Sequence, residues 1–143
     1  MKRNMDQWTK DLLAAKAKKA VPVLSFPSIQ LLGITVKDLI SDSDLQARGM
    51  KAVADRTDAG AAVSLMDLSL EAECFGAPIR VSDDEVPTVT GPVISTEVEE
   101  DERMAQAEAL AVPEIGAGRT QIYIDAIEKV MGMIEDRPVL AGV

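Results

Sequence analysis

Apolar residues fall along this chain in two alternating arrangements, positions three and four apart and short unbroken runs, and the alternation predicts helices and strands in turn. Trp8, Leu12 and Ala15 share one face, so Met5 to Lys19 is predicted as a helix whose closing lysines suit its dipole. Pro22 ends it. Val21 to Phe26 is an apolar run rich in branched residues, predicted as a buried strand that Pro27 and Ser28 turn the chain out of. A loop holding Gly33 comes next. Thr35 is placed to cap a short helix through Ile40, and Ser41-Asp42-Ser43 to cap a longer one to about Asp58, with Met50, Val53, Ala54 and Thr57 inward. The run Ala61 to Met66, set off by Gly60, is the second predicted strand. Two strands joined through helices read as a parallel βαβ unit with a right-handed crossover.

Past Asp67 the pattern is less regular. Ser69, Glu71, Ala72 and Glu73 suit a short helix that Gly76-Ala-Pro78 breaks, while Ile79 to Val81 and Pro87 to Thr90, around Asp83-Asp84-Glu85, predict a hairpin or irregular excursion. The strongly acidic Glu97 to Arg103 reads as a solvated helical turn. Gly116-Ala-Gly118-Arg119 lacks the full G-x-G-x-x-G spacing and follows no convincing strand, which makes it a turn into a helix rather than a phosphate cradle. That helix is predicted from Arg119 to Glu135 on the spacing of Tyr123, Ile127, Val130, Met131 and Ile134. Pro138 opens a last apolar run that stops with the chain at Val143. The order of elements belongs to the α/β class. The visible parallel strands fall well short of a closed eight-stranded barrel, and an open edge after the last run calls for cover by another segment or chain.

Over 143 residues, 47% apolar and 27% charged side chains are ordinary for one domain with a hydrophobic core. A net charge of −9 sets the chain against nucleic acid and anionic membrane surfaces, and one Trp, one Tyr and two Phe leave little to stack on bases. No window approaches the roughly 20 apolar residues of a membrane span, and Met1 to Trp8 lacks the apolar stretch of a signal peptide, so a cytoplasmic location is expected. Cys74, the single cysteine, excludes an internal disulfide. With no histidine, Ser-His-Asp and Cys-His catalysis and any Cys/His zinc cluster drop out for this chain.

Asp67 ends the second predicted strand, and the C-terminal ends of parallel strands are where α/β sheets and barrels carry their chemistry. It is the catalytic candidate, with a helix cap or turn residue as the competing account. Ser25, Phe26, Ser28 and Gln30, at or just beyond the end of the first predicted strand, are candidates for lining the same mouth, although turn formation explains the serines as well. Glu71, within one helical turn of Asp67, is a further binding candidate for which a solvated face is the simpler account. Cys74 has no cation near it in sequence and reads as a small buried hydrophobe; Trp8 and the methionines read as core.

Ala20-Val-Pro-Val-Leu-Ser-Phe26, the capped helix from Ser43, Ser64-Leu-Met-Asp67 with Gly76 nine residues on, Gly91-Pro-Val93, Leu110-Ala-Val-Pro-Glu114 and Pro138-Val-Leu-Ala-Gly142 keep an order that resembles the N-terminal part of the uroporphyrinogen decarboxylase superfamily. The resemblance implies the N-terminal portion of a TIM (β/α)8 barrel over residues 1–143, incomplete as given, with 1–19 an N-terminal helix and 20–143 the first βα units. The family's decarboxylases carry two arginines in the loop after the first strand to grip substrate carboxylates. The matching positions here are Pro27 and Leu31, and an apolar side chain does not replace a bidentate guanidinium. The loop Phe26 to Gly33, with Leu68 to Phe75, is similar instead to the methylcobalamin:coenzyme M and related corrinoid-dependent methyltransferases, in which zinc stabilises a thiolate that attacks the methyl group on cobalt.

What the resemblance implies is therefore methyl transfer between a corrinoid and a small thiol such as coenzyme M. A corrinoid protein or methylcobalamin would be the partner, and zinc would be held by His and Cys from the later half of the barrel. No cofactor is expected to bind this chain alone, and the chain alone is expected to be inactive. In the family's decarboxylases the strand-end aspartate that Asp67 matches contacts the pyrrole nitrogens of the macrocycle, so decarboxylation of uroporphyrinogen, a step of porphyrin biosynthesis, is the alternative. A third reading, of another class, is a non-catalytic partner that self-associates as a homo-oligomer, or completes another half-barrel, through its open edge.

Overall fold

Over the described residues, 3–142, the computed structural model runs α1 (Met5–Ala14), α2 (Ser28–Leu32), α3 (Val36–Ser41), α4 (Ser43–Arg56), β1 (Ala62–Val63), α5 (Leu70–Cys74), β2 (Ile79–Arg80), β3 (Thr88–Val89), α6 (Glu100–Glu108), α7 (Thr120–Met131) and β4 (Val139–Leu140). Met1, Lys2 and the end of the last apolar run at Val143 lie outside the described residues.

The Asn4 side chain caps α1 by accepting the Gln7 N–H at 3.0 Å. The helix stops at Ala14 rather than Lys19, because the lysines act from beyond it: Lys18 folds back and donates to the Leu12 and Leu13 carbonyls at 3.2 and 2.6 Å. None of its residues is buried and Trp8 is only half covered, so the expected core face is a surface face.

The predicted first strand does not form. Val21 to Phe26 carries no ladder, although the Gly60 N–H donates to the Ala20 carbonyl at 2.8 Å. The next rung of a parallel ladder would be donated two residues beyond that acceptor, by Pro22, which has no N–H. The predicted βαβ unit is corrected accordingly: β1 pairs in parallel with β4 instead, Ala62 opposite Val139 and Val63 opposite Leu140. The Ala62 and Ser64 N–H groups donate to the Pro138 and Leu140 carbonyls, both at 2.9 Å. β2 and β3 form the antiparallel hairpin expected around Asp83 to Glu85.

The segment expected as a loop around Gly33 holds α2, which ends where Gly33 turns left-handed at φ 66° and returns its N–H to the Ile29 carbonyl. Thr35 and Asp38 make a reciprocal capping box on α3, and Asp42 accepts the Asp44 and Leu45 N–H groups at the start of α4. α4 is the hub, packing on α2, α3, α7 and β1. Gly49 lets α2 come close, since a Cβ there would stand 2.5 Å from Ser28 Oγ.

Two apolar clusters result. One joins Val36, Leu39, Ile40, Leu65, Leu70 and Tyr123; the other joins Ala47, Met50, Ala54, Ala62, Val130 and Ile134. Within the expected inner face of α4, Met50 and Ala54 are buried while Val53 and Thr57 are half-buried. α7 turns Tyr123, Ala126 and Val130 inward, but Met131, expected on that face, is 62% exposed. α6 buries nothing, as a solvated acidic segment should. Among the described residues no helix is long and apolar enough to cross a membrane.

Candidate functional site

The parallel strands β1 and β4 end on the same side, and Asp67 stands four residues beyond the end of β1, ahead of α5. Its side chain has no exposed surface. Ser69 closes an Asx turn on it, giving its backbone N–H and its hydroxyl to Asp67 Oδ1 at 3.0 and 2.6 Å. Arg119 and Tyr123, one helical turn apart at the start of α7, reach the other oxygen: Arg119 Nη1 donates to Oδ2 at 2.7 Å and the Tyr123 hydroxyl at 2.8 Å. A carboxylate has about four lone-pair positions, and four protein donors occupy them.

Arg119 is engaged on every nitrogen. Nε donates to Glu73 Oε2 at 2.6 Å, Nη2 to Ser69 Oγ at 3.4 Å, and Nη1 also to the Tyr123 hydroxyl at 3.4 Å. The cluster thereby ties the strand end, α5 and α7 together.

Burial by itself would raise the pKa of Asp67, but the hydrogen bonds from Ser69, Arg119 and Tyr123 outweigh it and hold the carboxyl below its ordinary value. Burial, and then the charge of Asp67, push the Tyr123 phenol well up, so Tyr123 stays a donor. Burial works against the charge on Arg119, yet its bonds to Asp67 and Glu73 raise its pKa. Asp67 is thus a fixed anion. To accept a proton it must lose a donor, and its lowered pKa makes it a weak general base.

In front of this cluster lies a cleft of about 190 Å3. Met66, Leu68 and Glu71 form one wall, Tyr123, Ile124 and Ile127 the other, and Ala141 and Gly142 the end past β4. Gly142 donates its N–H to Ser64 Oγ at 2.8 Å, and a Cβ there would meet Met66 Cγ at 2.5 Å.

The structure brings two of the sequence candidates to this cleft, Asp67 and Glu71. The other four do not line it. Ser25 is buried and donates to the Ser64 carbonyl at 3.2 Å, Ser28 is buried and donates to the Ser25 carbonyl, Phe26 packs half-buried against the first apolar cluster, and Gln30 is exposed. The sequence reading missed Ser69, Arg119 and Tyr123 as partners of Asp67. The signals for them were an Asp-x-Ser turn and a cation four residues ahead of a tyrosine on one helix face.

The residues present do not fit a zinc ion. The sequence has no histidine, Cys74 points its thiol at the Ala117 carbonyl at 3.3 Å, and among the described residues no three His, Cys, Asp or Glu side chains converge.

Comparison with known proteins adds a family and a fold. The sequence model of the uroporphyrinogen decarboxylase (URO-D) family matches residues 15–143. No curated protein matches the chain by sequence. Among solved structures, a methyltransferase from Methanosarcina mazei superposes with a TM-score of 0.73 at 18% identity, over 99% of this chain and 42% of that one. The likeness establishes the fold as α/β, the N-terminal portion of a TIM (β/α)8 barrel, and this chain spans well under half the length of that structure.

Proposed function

This chain belongs to the uroporphyrinogen decarboxylase family, and from that premise we propose that it forms part of a corrinoid-dependent methyltransferase, moving a methyl group between a corrinoid such as methylcobalamin and a small thiol such as coenzyme M. The observation that supports this over decarboxylation is that, among the described residues, no arginine or lysine lines the cleft. Pro27 and Leu31, both exposed, stand where the decarboxylases are expected to carry carboxylate-gripping arginines. Arg119 is held by Asp67, Glu73 and Ser69. A porphyrinogen ringed with acidic groups would meet the exposed Glu71, with no lysine or arginine on the cleft wall among the described residues to answer it.

The cleft has room for the short carbon chain of a thiol. Its walls are mostly apolar. Asp67 serves there as a positioning residue: by fixing Arg119 and Tyr123 it holds α7 at the strand end, and with it Ile124 and Ile127. A bound corrinoid would supply the methyl group and keep the electron pair of the bond it gives up, and a thiol in the cleft would take up the methyl group and release its proton to solvent. Zinc, which the family implies, would be held by residues outside this chain. The compartment we assign is the cytoplasm, in keeping with a lone cysteine.

The reading is tested on the full-length protein of which this chain would form part, by adding a thiol and zinc with methylcobalamin and following the cobalamin spectrum. Thiol-dependent demethylation is the expected result. Release of carbon dioxide from uroporphyrinogen, with no demethylation, would replace methyl transfer by the decarboxylase reading.

A further inference from the structure

Two helices of the fold bury none of their residues, and they carry opposite charge. In α1, Met5, Trp8 and Leu12 repeat at three and four residues with Leu13 beside them, the pattern of a helix with an apolar face to cover, yet none is buried and Leu13 is 72% exposed. Lys10 and Lys16 stand three residues to either side of Leu13, and Lys18 and Lys19 follow, against Asp6 and Asp11. α6 is equally bare. From its cap onward it carries Glu99, Glu100, Asp101, Glu102 and Glu108 against Arg103, and Glu100 and Glu108 lie a turn to either side of Met104, which is 56% exposed. The segment after it holds Val112 and Ile115 at 84% and 95% exposure. Among the described residues no carboxylate of α6 pairs with a cation, and Lys10 and Lys16 pair with no carboxylate.

These charges do not meet within one chain. Arg3, just ahead of α1, donates to the Glu135 carbonyl at 2.7 Å, beyond the end of α7, whereas the chain leaving α6 leads back to Arg119 at the start of α7. The 12 residues of α7, about 18 Å of helix, separate the two anchor points. We infer that a second copy of this chain covers both helices: α1 of one copy lies on α6 of the other, and a twofold pair makes the contact twice. Trp8, Leu12 and Leu13 then leave water against Met104, Val112 and Ile115, which drives the association, and the lysines facing the acidic helix fix which surfaces meet. A basic partner of another kind would cover α6 and leave the apolar face of α1 bare; a second copy covers both. Like charges at these positions turn each contact repulsive, and the attraction between exposed groups falls as salt screens it. This contact does not use the open edge of β4.

The test is sedimentation of the full-length protein of which this chain would form part, at about 100 μM and low salt, with paired charge reversals. Lys10→Glu with Lys16→Glu makes the α1 surface acidic, and Glu100→Lys with Glu108→Lys makes the Met104 stripe of α6 basic. The parent is expected to be a dimer, and either reversed protein to show a dissociation constant raised at least about tenfold with its circular dichroism unchanged. Mixing the two reversed proteins should restore the dimer, since both contacts then join opposite charges. Leu13→Gln, which costs a folded monomer little at so exposed a position, should weaken the pair as well. A monomeric parent, whether or not the rest of the full-length protein covers α1 and α6, would overturn the inference. So would a dimer that neither reversal weakens, or a mixture that stays monomeric.

Discussion

Replacing Arg119 by leucine removes the cation that faces a fully buried carboxylate. Asp67 keeps three donors, the Ser69 N–H at 3.0 Å, the Ser69 hydroxyl at 2.6 Å and the Tyr123 hydroxyl at 2.8 Å. Removing one partner of a buried pair costs about 3–5 kcal/mol, and the surviving donors place this case at the low end, about 3 kcal/mol. Glu73, at 34% side-chain exposure, turns to water and adds little. The dependence on pH carries a sign. In the native protein the folded pKa of Asp67 lies below the unfolded value, so the group stabilises the fold above the ordinary carboxylate range, and that contribution is lost as pH falls through the folded value. In Arg119→Leu burial is opposed by fewer donors and the folded value rises, so the deficit is largest near neutrality and narrows as Asp67 protonates. Urea unfolding followed by circular dichroism, at about pH 7 and about pH 4, measures both. A loss under about 1 kcal/mol at neutral pH, or a loss that does not change with pH, would refute the account of Asp67 as the centre of an ion network.

Tyr123→Phe leaves the packing of the first cluster intact and removes one donor from Asp67; urea melts should show about 1–2 kcal/mol lost. Gly49→Ala should destabilise by about 1–2 kcal/mol in spite of the better helix former, because the added Cβ meets Ser28 Oγ, and Ser28→Ala in the same chain should recover part of that loss in a double-mutant cycle. Val130→Ala, at a fully buried position between α4 and β1, should cost about 2–3 kcal/mol, and an unchanged melting temperature would contradict the assigned core.

Local chemistry was readable in the sequence and remote pairing was not. Thr35 and Asp42 announce their helices because a capping side chain acts within three residues of itself. Asp67 could be placed at a strand end because the run before it is short, apolar and closed by a turn residue. The strand at Val21 to Phe26 failed for want of a single donor at Pro22, which matters only once its neighbour is known. Which strand would lie beside β1 depended on contacts across the whole intervening chain, and no periodicity carries that. Arg119 stood in a glycine-rich turn and Tyr123 on an apolar stripe, so neither looked like a partner for a carboxylate. Tyr123 is both core and donor, a combination that apolar spacing records only in half. The six ordered segments, by contrast, point to the same family that matches residues 15–143.

The central claim, that this half-wall belongs to a methyl-transfer site, is tested most directly with carbon-13-labelled methylcobalamin. The full-length protein of which this chain would form part is supplied with zinc, a small thiol and labelled donor, and the products are read by NMR, alongside an equal sample given uroporphyrinogen and assayed for carbon dioxide. The account predicts labelled methyl thioether in the first and no carbon dioxide in the second. Carbon dioxide without labelled thioether would contradict it.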